Sequence, residues 1–296
     1  MLPKGGCMVT IAINTGFYST KVKLEKEEFV FESRLSKSDK KDSHFILDNV
    51  GYKLEEGNFN VESYKEHNEV QRGCMAYAIA RATPMNEVKV ITALPMSQYV
   101  NRLAREKYKA HLMEGFKIQY KGIERVINIR NPIIFMEGAA AVYNNIDKFK
   151  GKLVGLIDWG GKTINAAVFE DCKPIGETIL TLDMGILVLE EKIRKAINQK
   201  LQRNMQSYQM RYLYNSDDTE ERIIIEQVIA EHLQELRQKL ILGNWDLKGL
   251  NLVGTGGGVL KLNDYLKQIF EGIKINQAAQ FENVRGLWNI ARALEA

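Results

Sequence analysis

Leu153 to Phe169 reads L-V-G-L-I-D-W-G-G-K-T-I-N-A-A-V-F, and this stretch decides the fold of the 296-residue chain. Apolar residues alternate along the chain on both sides of the Gly160-Gly161 pair, which is the period of a half-buried strand. The stretch therefore predicts a β-hairpin with Asp158 at its bend. Two glycines allow backbone amides to approach an anion closely, and Asp158 supplies an oxygen for a hydrated cation. The pattern is typical of a phosphate-and-metal turn, and equally of a simple chain reversal.

Two further segments carry glycine turns of a related kind. Thr10 to Lys23 reads T-I-A-I-N-T-G-F-Y-S-T-K-V-K and predicts a second hairpin with a short polar turn. Leu250 to Leu262 reads L-N-L-V-G-T-G-G-G-V-L-K-L, a buried strand followed by three glycines and a helical pattern. Consecutive glycines let the backbone lie flat against a nucleotide base or ribose. The informative feature is the order of the segments, which is hairpin, hairpin, glycine run.

In this order the segments resemble the motifs of the actin-like ATPases of the actin, sugar kinase and Hsp70 superfamily. Within it, they are most similar to the ParM-type bacterial proteins that segregate plasmids. The first hairpin resembles the phosphate-1 motif, the second hairpin the phosphate-2 motif, and Gly254 to Gly258 the adenosine motif. Ile134 to Asn144, I-F-M-E-G-A-A-A-V-Y-N, resembles the first connecting motif, with Glu137 at the catalytic position. Shorter similarities are V-I-T-A-L-P-M-S-Q-Y at 90–99 and N-V-R-G-L at 283–287.

The resemblance implies an α/β protein with the two-lobed actin-like fold, a duplicated ribonuclease H-like arrangement. Each lobe is expected to be a β-sheet with helices and an inserted smaller subdomain. Lobe I is expected at residues 1–150 with an insertion at about 36–83, and the C-terminal helix 284–296 is expected to pack back on it. Lobe II is expected at residues 151–283 with an insertion at about 186–247.

The resemblance also implies the residues of a nucleotide site. Glu137 and Asp158 occupy the catalytic positions, and Asp158 is expected to hold Mg²⁺ through water. The expected cofactors are ATP or GTP together with Mg²⁺. The positions matching the nucleotide-binding motifs are Asn14, Gly16, Phe17, Tyr18, Lys21, Gly160, Gly161, Lys162, Thr163, Gly256, Gly257 and Gly258. Apart from the resemblance, a glutamate in the first turn of a helix ordinarily complements the helix dipole.

The sequence departs from the family pattern in two places. Asn14 stands where the family usually has an aspartate, so the position keeps an acceptor oxygen but loses a negative charge near the metal. Asn14 is therefore expected to be a weaker metal contact than an aspartate. Ile164 and Asn165 stand where phosphate-2 often continues with a threonine and an aspartate. The predicted site is less acidic than the family pattern.

Composition and charge restrict the remaining function classes. The formal charge of +4 is spread along the chain without a block of five like charges, which argues against direct nucleic-acid binding. We find neither a signal-peptide pattern nor an apolar run long enough to span a bilayer, so the expected location is the cytoplasm, without membrane contact. The cysteines are widely separated, form no C-x-x-C motif and indicate a reducing compartment. They are Cys7, Cys74 and Cys172.

The histidines are scattered and do not predict a metal site. They are His44, His67, His111 and His232. His232 lies in the apolar face of a helix predicted to start after Asp218, so a buried histidine with satisfied nitrogens is expected there. Asp218 and Glu221 have the spacing of a capping box at the start of this helix.

The main hypothesis is a nucleotide-dependent, filament-forming actin-like ATPase, or GTPase, that couples hydrolysis to polymer turnover and segregates plasmid DNA. Its expected partners are further copies of itself, joined head to tail, and a DNA-binding adaptor protein of the partition system. The alternatives are a small-molecule kinase and a non-polymerising nucleotide-binding scaffold of the same superfamily. A kinase places a catalytic carboxylate toward a hydroxyl substrate, and Glu137 and Asp158 are the candidates for that role.

Overall fold

The computed structural model describes residues 8–59, 68–210 and 217–295, so Cys7 and His67 lie outside the described residues. The chain divides into two compact units. Unit 1 comprises the described residues up to Lys148 together with those from Phe281 onward, and unit 2 comprises Phe149–Gln280. Each unit combines a β-sheet with helices, which confirms the predicted α/β class.

Unit 1 contains one ten-stranded sheet. Its strands are β1 (Val9–Thr15), β2 (Ser19–Lys23), β3 (Glu28–Glu32), β4 (Arg34–Ser38), β5 (Phe45–Leu47), β6 (Val50–Phe59), β7 (Glu87–Leu94), β8 (Phe116–Tyr120), β9 (Ile123–Ile129) and β10 (Ile133–Met136). Their order is β3-β2-β1-β7-β9-β8-β5-β6-β4, and β10 pairs with β7. β1 and β2 are antiparallel, which confirms the first predicted hairpin. The end strands β3 and β4 are joined in the chain at Ser33, so the sheet curls back toward itself.

Unit 2 contains a six-stranded sheet. Its strands are β11 (Leu153–Trp159), β12 (Ile164–Glu170), β13 (Lys173–Pro174), β14 (Leu180–Leu182), β15 (Asn251–Thr255) and β16 (Lys274–Ile275). Their order is β13-β12-β11-β15-β16, and β14 pairs with β12. β11 and β12 form the second predicted hairpin, and β15 is the predicted strand before the glycine run.

The helices of the described residues contribute to both units. In chain order they are α1 (Glu69–Ala82), α2 (Met96–Val100), α3 (Arg102–Met113), α4 (Ala139–Asn144), α5 (Ile146–Phe149), α6 (Ile186–Lys200), α7 (Thr219–Leu242), α8 (Gly257–Lys261), α9 (Asn263–Ile269) and α10 (Glu282–Glu295). Within the part of the chain that the structure covers, no helix has the length and apolar character needed to cross a membrane.

The core of unit 1 forms around α1. Asn68 caps this helix by accepting a hydrogen bond from the amide of Gln71. The sequence predicts a helix near residues 70–82 with one apolar face, formed by Val70, Cys74, Tyr77 and Ala78. In the structure nearly every residue from Gln71 to Ala80 is buried, which is the pattern of a helix enclosed by other elements. β1, β2, β4, β5 and β8 all contact α1. The strands β4 to β6, which fall in the predicted insertion, belong to this common sheet because β5 pairs with β8.

The hairpin of unit 2 is more deeply buried than expected. Apart from Leu153 and Glu170 at its outer ends, every residue of β11 and β12 is buried, so the prediction of half-buried strands was wrong. Small and polar residues contribute to the difference, because the positions of Gly155, Asn165 and Ala167 resemble a solvent face in the sequence but are buried in the structure. At Gly155, for example, a Cβ atom would lie 2.8 Å from the ring of Trp245.

Candidate functional site

The parallel strands β1, β7 and β10 end at one edge of the unit 1 sheet. Their last residues are Thr15, Leu94 and Met136. Asn14 lies one residue before the end of β1, and Glu137 follows β10, where its amide donates to the carbonyl of Leu94 at 2.9 Å. Neighbouring strands are about 4.8 Å apart, so β1 and β10 are separated by roughly 10 Å. The structure therefore brings the predicted positions Asn14 and Glu137 to the same edge.

In the turn after β1, the ammonium group of Lys21 lies beside the point where the backbone of Gly16 approaches that of Ser19. A Cβ at Gly16 would lie 2.8 Å from the carbonyl oxygen of Ser19 and 3.5 Å from Nζ of Lys21, so a larger residue would force the turn apart. The ammonium of Lys21 donates to the Ser19 carbonyl at 3.1 Å, which holds it at the turn. Lys21 is paired with Asn14 across the hairpin, so both side chains lie on one face.

The aromatic residues of this turn are held by packing. The side chain of Phe17 is buried, and the ring of Tyr18 stacks on Phe59 with 4.8 Å between centroids. Gln71 of α1 donates to the carbonyl of Gly16 at 3.4 Å and so supports the turn from the core side. Because packing holds both side chains, the predicted contact of Phe17 and Tyr18 with a ligand would be made by their backbone.

Asn14 carries a buried polar atom without a partner among the described residues. The residue is only 7% exposed, and its Oδ1 accepts no hydrogen bond from residues 8–59, 68–210 or 217–295. An unpaired buried acceptor is costly, by about 1–3 kcal/mol. A ligand or hydrated cation that supplied a donor or a positive charge would remove this cost, so the atom fits the predicted role of Asn14.

The corner that carries Glu137 is fixed by the C-terminal helix α10. Gly138 has a φ of 77° and donates its amide to Oδ1 of Asn283 at 2.9 Å. A Cβ at Gly286 would lie only 1.7 Å from the carbonyl oxygen of Ala140, so α10 packs directly against the backbone of α4. Asn283 and Gly286 were not predicted as site residues, and their signal was the N-V-R-G-L similarity alone.

In unit 2, Asp158 and the glycine run lie side by side. Asp158 is 5% exposed and pairs with Thr255 across the parallel strands β11 and β15. Gly256 follows β15 with a φ of 87°, and a Cβ there would lie 2.7 Å from Oδ1 of Asp158 and 2.5 Å from the carbonyl oxygen of Trp159. Gly256 is therefore required by both its conformation and the carboxylate that lies against it. The fold joins two of the predicted motifs.

The turn between β11 and β12 is anchored by the start of α6. Three successive carbonyls of the turn accept hydrogen bonds from amides of this helix and its cap. The bonds are Gly185 N to Lys162 O at 2.7 Å, Ile186 N to Gly160 O at 3.1 Å and Leu187 N to Gly161 O at 2.9 Å. A Cβ at Gly185 would lie 2.3 Å from the Gly161 carbonyl, so this residue must be glycine.

These bonds set the direction of the turn amides. The C=O and N–H groups of a trans peptide point in opposite directions. Because the carbonyls of residues 160–162 point toward α6, the amides of Gly161, Lys162 and Thr163 point away from it. A run of amides aimed to one side forms a concavity suited to an anion. The geometry therefore fits the predicted phosphate contact.

The three glycines after β15 serve different purposes. The sequence predicted that a helical pattern follows the three glycines, but the helix begins within them, because Gly257 and Gly258 form the first turn of α8. A Cβ at Gly258 would lie 2.4 Å from the ring of Trp159, so this glycine allows packing. At Gly257 the nearest atom to a Cβ is 3.8 Å away, in Gln280. Gly257 is the member of the run with room beside it for a ligand.

The acidic character of the unit 2 site is low, as the sequence indicated. Asn165 lies opposite Asp158 on β12, and its Oδ1 accepts a hydrogen bond from Thr181 at 2.9 Å. Within residues 8–59, 68–210 and 217–295, no three His, Cys, Asp or Glu side chains gather to hold a metal ion. Mg²⁺ is commonly held by one or two carboxylates, with water and ligand phosphates completing its shell. Asp158 alone therefore fits a magnesium ion that arrives with a nucleotide.

Comparisons with known proteins agree with this architecture. Residues 12–139 match the family described as "Actin like proteins N terminal domain". The structure of the archaeal actin homologue Ta0583 superposes with a TM-score of 0.83 at 16% identity, covering 97% of this chain and 100% of that one. A ParM filament protein from Clostridium botulinum gives 0.82 at 19% identity, with 97% and 100% coverage. The subunit of the Alp12 filament gives 0.70 at 20% identity, with 98% and 99% coverage. None of the curated proteins matches the sequence.

These likenesses define the class of the protein. The chain has the actin-like fold, as expected from the order of its two hairpins and glycine run. The resemblance to the ParM-type actin-like proteins is confirmed at the level of the fold, because several ParM structures superpose on nearly the whole chain.

Proposed function

We propose that the protein is a nucleotide-dependent, filament-forming actin-like ATPase that segregates plasmid DNA through an adaptor protein. The observation that carries the proposal is the turn at residues 160–163, where α6 aligns three amides next to Asp158 and Gly256. An aligned row of amides beside a carboxylate suits a phosphate chain and its metal ion, and the space beside Gly257 suits a sugar or base.

The proposed mechanism assigns roles to the turn amides of residues 161–163 and to the side chains of Asp158, Lys21 and Glu137. The amides of Gly161 to Thr163 bind phosphate oxygens, and Asp158 holds Mg²⁺ through water. The metal ion, when bound with the nucleotide, neutralises charge on the phosphates. Lys21 adds a positive charge at the first turn. Glu137 orients and deprotonates the attacking water, because phosphoryl transfer depends on positioning and charge stabilisation.

The structural neighbours support the nucleotide and assembly parts of the proposal. The archaeal homologue Ta0583 has also been crystallised in complex with ADP. The Clostridium botulinum ParM and Alp12 structures are filaments. We infer that this chain likewise binds ATP or GTP and assembles head to tail, with hydrolysis weakening the polymer. A heterologous contact that does not close into a ring extends into an open filament.

The cargo and location are part of the proposal. Charge is dispersed along the sequence, which favours attachment to DNA through a DNA-binding adaptor rather than directly. We place the protein in the cytoplasm, without membrane contact. The two lobes of the proposal are residues 1–150 with the C-terminal helix, and residues 151–283.

Nucleotide binding is tested with two variants and a matched control. Asp158→Ala removes the metal contact, and Gly257→Val fills the space beside α8. Gly176→Val is the control, because a Cβ at Gly176 meets nothing within 4 Å and the residue lies outside the predicted site. Titration with a fluorescent nucleotide should show magnesium-dependent binding that both site variants weaken and the control retains. Absence of magnesium-dependent binding in the natural sequence, or equal binding by all variants, would refute the nucleotide proposal.

Hydrolysis is tested by Glu137→Gln, which keeps the shape of the side chain and removes its basicity. A general base contributes about 10²- to 10⁴-fold, so phosphate release should fall by that factor while nucleotide affinity stays near normal. Glu106→Gln, at an exposed position of α3, is the control. An equal loss of binding and turnover in Glu137→Gln would make the residue structural rather than catalytic.

Assembly separates the main proposal from its alternatives. Light scattering and pelleting should show a critical concentration with ATP or GTP, and polymer that persists longer with a non-hydrolysable analogue. A protein that stays monomeric at every concentration while phosphorylating an added small molecule is a kinase. One that binds nucleotide without either activity is a scaffold.

A further inference from the structure

His232 of α7 is buried between two elements of unit 2. The side chain is 1% exposed, and both ring nitrogens have partners, as the sequence predicted. Nε2 lies 2.9 Å from the carbonyl oxygen of Met184, and Nδ1 lies 3.2 Å from Nζ of Lys192. The imidazole therefore bridges α7 to the segment that leads into α6.

The partners fix the tautomer of the ring. A carbonyl oxygen only accepts hydrogen bonds and an ammonium only donates, so Nε2 carries the proton and Nδ1 accepts from Lys192. Burial lowers the pKa of His232, and the neighbouring Lys192 lowers it further, against the opposing effects of the Met184 carbonyl and Glu235. Glu235 in turn forms an ion pair with Lys192 at 2.9 Å. The ring is thus a neutral donor with a defined direction.

One contact of His232 leads to the turn at residues 160–163. Met184 precedes Gly185, whose amide binds the carbonyl of Lys162 at 2.7 Å. The peptide between Met184 and Gly185 therefore receives a hydrogen bond from His232 at its oxygen and gives one to the turn at its nitrogen. Rotation of this peptide would break both bonds together, so His232 holds the orientation on which the turn depends.

A second contact leads to the glycine run. The ring of His232 lies against Trp159, with 5.9 Å between centroids and 46° between planes. Trp159 follows Asp158 in β11 and is fully buried. Its ring occupies the space that a side chain at Gly258 would need. The position of α8 therefore depends on an indole that His232 supports.

We propose that His232 is a positioning residue for both glycine turns of unit 2. Its hydrogen bond to Met184 fixes the direction of the amides at residues 161–163. Its contact with Trp159 fixes the position of the ring against which Gly258 packs. Only the expected effect of His232 on ligand affinity rests on the proposed nucleotide function. Its effect on the order of the turns is a property of the protein without ligand.

Two substitutions separate the role of the hydrogen bond from the role of bulk. His232→Leu removes the donor to Met184. His232→Gln keeps it, because a glutamine Nε2 reaches about the position of the imidazole Nε2 and is always a donor. Leu236→Ala is the control, because Leu236 is fully buried one turn further along α7 and its loss weakens the helix packing without removing a hydrogen-bond donor.

Hydrogen exchange of the ligand-free protein, followed by mass spectrometry, gives a readout independent of nucleotide. One net hydrogen bond corresponds to about a 5- to 10-fold change in an equilibrium. His232→Leu should therefore exchange about 5- to 10-fold faster at the bonded amides of Gly160 and of residues 185–187, followed in the peptides that cover 160–163 and 185–187, whereas His232→Gln should stay near the natural sequence. The proposal is overturned if His232→Leu leaves those peptides unchanged, if His232→Gln matches His232→Leu, or if Leu236→Ala accelerates them as much.

Magnesium-dependent titration with fluorescent ATP provides the second arm. The affinity of His232→Leu should fall by a similar 5- to 10-fold, and that of His232→Gln should be retained. Natural protein that binds no nucleotide would refute the proposed function, while the exchange comparison would still decide the role of His232. Normal affinity in a folded His232→Leu with faster exchange would overturn the part of the proposal that concerns the ligand.

Discussion

Replacing Gly256 by alanine perturbs the point where the glycine run meets Asp158. The residue has φ 87° and ψ 166°, a region that side-chain-bearing residues occupy at a cost of about 1–3 kcal/mol. The added methyl would also lie 2.5 Å from the Trp159 carbonyl and 2.7 Å from Oδ1 of Asp158. Overpacking of this kind typically costs about 1–3 kcal/mol more. We therefore expect Gly256→Ala to destabilise unit 2 by about 2–6 kcal/mol, a large part of the roughly 5–15 kcal/mol typical of a folded protein.

The neighbouring glycine supplies the control. Gly257 has an ordinary φ, and a Cβ there meets its nearest atom at 3.8 Å. Gly257→Ala should leave stability unchanged or raise it by about 0.4–1 kcal/mol, because alanine has less conformational freedom to lose on folding. Each variant adds one methyl group, and the two positions are adjacent, so the difference between their stabilities reports the local backbone conformation and the space around each methyl group.

Urea unfolding monitored by tryptophan fluorescence measures this contrast, since Trp159 and Trp245 are both buried in unit 2. The double variant Asp158→Ala/Gly256→Ala relieves one of the two close approaches and should recover part of the loss, a non-additivity typical of residues in contact. An unchanged urea midpoint in Gly256→Ala, or an equal shift in Gly257→Ala, would refute the account of this site.

Three further outcomes follow from single contacts. Gly286→Ala should lower the thermal midpoint, by an amount corresponding to about 1–3 kcal/mol, because its methyl would displace α10 from the Ala140 carbonyl; calorimetry of this variant beside Gly176→Ala checks this. The pKa of His232 is lower in the folded chain than its ordinary value of 6.5, so its contribution to stability is present above about pH 6.5 and is lost as pH falls toward the folded pKa. Urea midpoints between pH 7 and 5 should therefore fall less in His232→Gln than in the natural sequence. Asn14→Asp should tighten the magnesium dependence of nucleotide binding, and an unchanged magnesium titration would contradict the role given to Asn14.

The elements of the site could be predicted because their signals are local. Both hairpins carry strand periodicity on either side of a short glycine turn, and the structure confirms the pairing of β1 with β2 and of β11 with β12. The strand before the glycine run and the buried His232 were also confirmed. In each case the residues that decide the outcome lie within one turn or one helix face of each other.

The errors and omissions have a common cause in contacts between distant residues. Gly155 of β11 resembled a solvent-facing position, because nothing near it in the sequence shows that Trp245 covers it. Helix α1 was expected to have one apolar face, yet strands that flank it on both sides in the sequence enclose it. Asn283 was missed as the support of the Glu137 corner because it lies 145 residues away from its partner Gly138.

The direction of the amides at residues 161–163 shows how distant contacts orient a turn. The sequence of the turn permits many orientations, since Gly160 and Gly161 are flexible. Helix α6 selects one of them by binding three carbonyls of the turn, and this selection requires no ligand. A turn that is ordered before binding loses less entropy when the ligand arrives, which increases affinity. Unit 1 differs, because no donor among the described residues reaches the buried Oδ1 of Asn14. Under the proposed function, the turn of unit 2 is therefore a preorganised anion contact, whereas Asn14 in unit 1 would gain an interaction that the described residues lack.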